Sequence, residues 1–150
     1  MAQLFAAMPA NNLPSVPNFN ICPTDSVHVV RASGEGRGLV AMRWGFIPQW
    51  YKAASDGPLL INARAETIAD KPAFRTAART QRCLIPASGY YEWTKDAEGK
   101  RLPWFFTRAD GAPVVMAGVW QTWGEDAQAT CAVVTCAANE ATAPVPHRMP

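Results

Sequence analysis

The chain has 150 residues and a mass of 16.3 kDa, the size of one domain, long enough to bury a core without disulfides or metal. Hydrophobic residues make up 49% and charged residues 17%, below the roughly 25% of an average globular chain, which argues against intrinsic disorder. A net charge of +2 with a pI near 8.4 is not the strongly basic balance that by itself marks a nucleic-acid binder, and 13 prolines argue against long helices.

In chain order, Ala2 to Met8 reads as the end of a short helix stopped by Pro9, followed by a polar loop rich in Asn and Pro. Strands are predicted at Val27 to Arg31 and Leu39 to Trp44, joined by a glycine-rich turn over Ser33 to Gly38 that has neither a dinucleotide fingerprint nor a Walker lysine. His28, alternating with valines, reads as a strand histidine rather than a ligand. A polar segment follows Ile61, then a helix near Lys71 to Thr80, where Ala73, Phe74, Ala77 and Ala78 recur at helical spacing. Further strands are predicted at Arg82 to Ile85, Tyr90 to Thr94, Leu102 to Thr107, Val114 to Trp120 and Thr130 to Thr135, with turn chemistry at Glu98-Gly99 and Asp110-Gly111 suggesting successive hairpins. The expected fold class is α+β, mainly β, with a curved or barrel-like antiparallel sheet and a few flanking helices.

The four cysteines, Cys22, Cys83, Cys131 and Cys136, show no metal-ligand spacing and read as buried free thiols, so no metal or cofactor is expected. The opening lacks the charged start and apolar middle of a signal peptide, and no apolar run approaches the roughly 18 residues of a membrane span. A reduced, cytoplasmic setting fits best. Charge is unevenly distributed. Arg64, Lys71, Arg75, Arg79 and Arg82 outnumber Glu66 and Asp70 between Asn62 and Arg82, whereas from Ala109 onward Arg148 faces Asp110, Glu125, Asp126 and Glu140. An anion-binding surface is therefore expected on the middle segment.

Three places carry candidate chemistry. In Asn62-Ala63-Arg64-Ala65-Glu66-Thr67, Arg64 could fork onto a phosphate and the Asn62 amide could donate and accept, the plainer reading being a strand end with an Arg64 to Glu66 pair. In Gly89-Tyr90-Tyr91-Glu92-Trp93 a lone carboxylate stands among three aromatics. Alternation puts Tyr90, Glu92 and Thr94 on one face, and Glu92 becomes a proton donor or acceptor near neutrality only if that face is turned inward. In Ala143 to Pro150, His147 could supply a base and Arg148 an anion contact, a surface histidine being the commoner case. The run Arg43 to Trp50 is core packing on the plain reading. On the other, Trp44, Pro48 and Trp50 offer faces for stacked bases or a wedge against DNA.

Together, Phe19 to Thr24, Trp44 to Trp50, Asn62 to Thr67, Arg82 to Trp93 and Arg148-Met149-Pro150 resemble, in order, the SRAP family, the SOS-response-associated peptidases that process abasic sites in DNA. The resemblance implies a partner, single-stranded DNA with abasic sites, and covalent attachment through an N-terminal cysteine whose amine and thiol close a thiazolidine ring on the sugar aldehyde. It also implies peptidase (hydrolase) and lyase-type activities, a monomer, and association with the nucleoid when bound. Asn62 then orients the sugar or the nucleophile, Glu92 shuttles protons and Arg64 holds a phosphate. Two departures stand out. The chain opens Met1-Ala2-Gln3-Leu4-Phe5 where the family has Met-Cys-Gly-Arg-Phe, and Pro146 occupies the position of the family's catalytic histidine, with His147 beside it. Residues 1–150 are therefore expected to form a single domain lacking the family's first strand and the segment after Arg-Met-Pro, and to be deficient in crosslinking. The alternative is a non-catalytic single-stranded DNA-binding remnant or an inert fragment.

Overall fold

Apolar alternation along five strands sets the architecture. The structure, a computed structural model, describes residues 1–150. Strand β1 spans Ala7–Pro9, β2 Ser26–Ser33, β3 Gly36–Trp44 and β4 Asn62–Arg64; helix α1, Arg75–Thr80, is followed by β5 Arg82–Ala87, β6 Tyr90–Lys95, β7 Arg101–Phe106, β8 Val114–Trp123, β9 Gln128–Ala137 and β10 Arg148–Met149. The main sheet runs β3-β2-β5-β8-β9 and closes on itself where Arg43 and Trp44 of β3 pair in parallel with Thr130 and Cys131 of β9. The expected barrel-like sheet is thus a closed five-stranded barrel.

Every second residue points inward. Val27, Val29, Met42, Cys83, Ile85, Cys131 and Val133 fill the barrel as one buried cluster. A second cluster of Phe46, Ala63, Phe74, Ala77, Val119 and Ala132 packs α1 and the loop after β3 onto the outer face. With both faces covered, Thr130 to Val133 are buried without a break. A third, smaller cluster seats Ala7 of β1 against Val30 and Leu39.

Several expectations change. The opening is not helical: Ala6 takes φ 47°, ending one turn, and Ala7–Pro9 then extend to pair in parallel with Arg37 to Leu39. So short a helix has too few hydrogen bonds to hold, and pairing wins. The region 71–80 is turn as far as Phe74 and helix only from Arg75, so a single helix flanks the sheet. The Glu98-Gly99 hairpin forms as the ribbon β6–β7, but no hairpin forms at Asp110-Gly111. There the chain leaves the ribbon and β8 pairs with β5, making the ribbon an insertion between two barrel neighbours. Of the thiols, Cys83 and Cys131 are buried, Cys136 is half-buried and Cys22 is exposed. Desolvation in the barrel pushes the Cys131 thiol up to about 12. His28 lies half-buried within β2, as a strand histidine. No helix is long and apolar enough to cross a membrane.

Candidate functional site

The segment Asn62–Arg64, too short to read as a strand, is one because β9 offers it an edge. It pairs in parallel with Val133 to Thr135, flanked by the Val133 N–H donating to the Ile61 carbonyl at 2.9 Å and the Ala65 N–H donating to the Thr135 carbonyl at 2.8 Å. Ala63, 1% exposed, points into the cluster under α1, so Asn62 and Arg64 must emerge together on the opposite, open face.

The ribbon supplies the carboxylate. Tyr90, Glu92 and Thr94 are half-buried while Tyr91 and Trp93 are exposed, so the face carrying Glu92 is the inward one. Tyr90 stacks on Phe106 across the ribbon at 5.2 Å between ring centres. Partial burial raises the Glu92 carboxyl above the ordinary carboxylate range. The Tyr90 phenol is also raised, mainly by burial and further by the Glu92 charge.

Arg148 of β10 closes the site. Its Nε donates to Thr135 Oγ1 at 3.2 Å, and its Nη2 donates to the Thr135 carbonyl and to Glu66 Oε2, both at 2.8 Å. The bond from Arg148 holds Glu66 below its ordinary pKa, with a smaller attraction from Arg64. The Arg64 to Glu66 pair read from the sequence is thus replaced by an Arg148 to Glu66 ion pair, which frees Arg64 for another anion.

Asn62, Arg64, Glu92, Thr135, Arg148 and Pro150 line one cavity of about 310 Å3. An adjoining open cleft of about 450 Å3 shares Glu92 and Arg148 and runs between β6 and Val145 to His147. In its wall Pro146 is buried and His147 exposed. Four residues from distant stretches, Asn62, Arg64, Glu92 and Arg148, are therefore brought together, and His147 stands one cavity away.

The aromatic loop lies elsewhere. Gly45 takes φ +145°, where a Cβ would strike the Arg43 guanidinium and Leu59, and this turn folds Phe46, Ile47 and Pro48 into the interior. The Ile47 N–H donates to Thr130 Oγ1 at 3.2 Å, anchoring the loop. Pro48 is fully buried and has no surface to offer DNA. Trp44 is half-buried, its indole N–H donating to the Ile61 carbonyl at 3.1 Å, and only Trp50, 59% exposed, presents its ring to solvent. Thr135 joins the site without a local sequence signal, and Glu66 joins it as the partner of Arg148 rather than of Arg64. A threonine in a β-branched run reads as ordinary strand, and only the return of β10 reveals its use.

The family model of the SOS response associated peptidases matches residues 1–150. Among relatives, the abasic site processing protein YoaM of Bacillus subtilis is 34% identical over 137 residues, covering 89% of this chain and 60% of its own length. The abasic site processing protein YedK of Escherichia coli is 33% identical over 138 residues, covering 90% of this chain and 60% of its own. A crystal structure of a Bordetella bronchiseptica protein superposes with a TM-score of 0.80 at 30% identity, covering 99% of this chain and 76% of that one. The chain spans about 60% of the length of these curated relatives. With the barrel and the order of its motifs in agreement with these matches, the chain belongs to the SOS-response-associated peptidase (SRAP) family.

Proposed function

We propose that this chain recognises abasic sites in single-stranded DNA through the surface around Asn62, Arg64, Glu92 and Arg148. The observation that carries this reading is the convergence of those four side chains on one cavity of about 310 Å3, in a chain whose relatives are named abasic site processing proteins. Arg64, exposed and not bonded to Glu66, is suited to a phosphate oxygen. The Asn62 amide, on the same face of β4, can both donate to and accept from a sugar that lacks its base. Glu92, whose carboxyl partial burial raises above the ordinary carboxylate range, is suited to take and return a proton, and His147 lines the adjoining cleft as a second basic side chain. Arg148 is largely committed to Thr135 and Glu66 and acts chiefly by positioning.

A binding role without covalent attachment is favoured by one feature of the cleft: the position next to His147 is a buried proline, which exchanges no proton. Incubated with single-stranded DNA bearing a natural abasic site, the 150-residue chain is expected to leave no heat-stable adduct on a denaturing gel, while retaining salt-dependent binding that weakens in Arg64→Ala. A stable adduct that disappears when the N-terminal amine is blocked contradicts the non-covalent reading.

A further inference from the structure

The ribbon that places Glu92 has a second face. Cross-strand register and alternation put Tyr91, Trp93 and Lys95 of β6 on the same side as Arg101, Pro103 and Phe105 of β7. Tyr91, Trp93 and Phe105 are each close to half exposed. They form a continuous row: Phe105 and Tyr91 lie 4.8 Å apart between ring centres, Tyr91 and Trp93 6.3 Å, and the Arg101 guanidinium lies over the Trp93 ring at 5.1 Å. One end of the row is held in place by Gly89, where a Cβ would collide with the Phe105 ring and the Phe106 carbonyl.

The charge on this face has one sign. Lys95 and Arg101 are direct cross-strand partners at its far end, and Glu92 is turned to the opposite face. The acids Asp96 and Glu98 lie beyond this end in the turn, where Asp96 Oδ1 accepts from the N–H groups of Glu98 and Lys100 at 3.1 and 2.8 Å, and Lys100 adds a third cation. Two cations at the end of three exposed aromatics, with no carboxylate among them, complement a polyanion whose bases are unstacked.

We propose that the outer face of the β6–β7 ribbon is a second binding surface for single-stranded DNA, outside the Asn62 cavity but bordering the adjoining cleft, whose wall Trp93 and Lys95 also line. Bases stack along Phe105, Tyr91 and Trp93, and phosphates meet Arg101 and Lys95. Side chains two residues apart on one strand are about 7 Å apart, a spacing that lets successive bases of an extended strand lie on successive rings. The ribbon would then be held by DNA on its outer face while presenting Glu92 on its inner one. The inference rests on the proposed DNA-binding function, and its test separates the two.

The affinity of the 150-residue chain for an oligothymidine without any abasic site is measured by fluorescence anisotropy for the wild type, Tyr91→Ala/Trp93→Ala, Arg101→Glu and Arg64→Ala. The double variant is expected to bind about tenfold more weakly or worse, with a clear loss in Arg101→Glu, which keeps the aromatic row intact. Ultraviolet crosslinking of wild type to a 5-iodouracil strand is expected to label the peptides containing Tyr91, Trp93 or Phe105, a readout that does not depend on a variant folding. If the wild type binds no single-stranded DNA, both readings fall. If it binds, and Arg64→Ala weakens it while the ribbon variants do not and crosslinks fall elsewhere, the second surface is overturned and the first stands. Concentration-dependent dimerisation lost in the double variant, with DNA affinity unchanged, would assign the face to a second copy of the chain and overturn the proposal.

Discussion

Glu92 and Glu66 are both carboxylates of the same site, and their surroundings push them in opposite directions. Burial raises Glu92, whereas the hydrogen bond from Arg148 lowers Glu66. Glu92 therefore holds its proton more tightly in the folded chain than in the unfolded one, and its ionisation opposes folding as pH rises through the raised value. The neutral isostere Glu92→Gln is expected to melt at a higher temperature than wild type near neutral pH. The gain should shrink as pH falls and vanish below the ordinary glutamate range. Calorimetry over that pH span checks this, and a difference that does not change with pH contradicts the assignment. Glu66 contributes with the reverse slope, since its pairing with Arg148 is lost on acidification. Alternation made the two-faced character of Tyr90 to Thr94 legible in the sequence, but not which face is inward. That is decided by the approach of the Val145 to Arg148 loop and of β4, neither of which is local.

At the scale of elements, the stretch Trp44 to Trp50 divides into an interior and a tip. Phe46 is 1% exposed and meets Phe74 edge-on at 5.1 Å between ring centres, joining the loop to the turn that precedes α1. Phe46→Ala removes this bridge and leaves a cavity beneath α1, and is expected to cost about 3–5 kcal/mol of stability in urea unfolding. A loss below about 1 kcal/mol would mean that the loop is not core. The plain reading of this stretch as packing was available from composition, because a proline-stiffened apolar run is as consistent with burial as with stacking. The strands of the barrel were legible from alternation and turn chemistry. Two of the shortest elements, β1 and β4, were not, since three residues carry no periodicity and each exists only because an edge of β3 or β9 awaits it. The short life of the expected opening helix and the missing hairpin at Asp110-Gly111 have the same origin: long-range pairing overrode local propensity.

For the whole molecule, closure of the barrel by β3 on β9 converts a linear order of motifs into a site. Asn62, Arg64 and Thr135 are neighbours through β4 on β9, and Arg148 through β10 on β9, so a single strand gathers two other segments of the chain beside its own Thr135. Glu92 is brought to the same cavity by the ribbon inserted between β5 and β8. Of the cations gathered on the middle segment, Arg64 lines this cavity, and the fold returns Arg148, the lone cation of the tail, to the same place. Under the proposed function, this convergence recognises a strand lacking a base. The most direct test is the salt dependence of affinity for a single-stranded oligonucleotide carrying a stable abasic analogue, measured by anisotropy for wild type and Arg64→Ala. Expected are tighter binding to this strand than to the intact one, roughly tenfold weaker binding in Arg64→Ala, and a salt slope reduced by about 0.7, as for one lost phosphate contact on a single strand. Equal affinity for the two strands, with affinity and slope unchanged in Arg64→Ala, would contradict the proposed function.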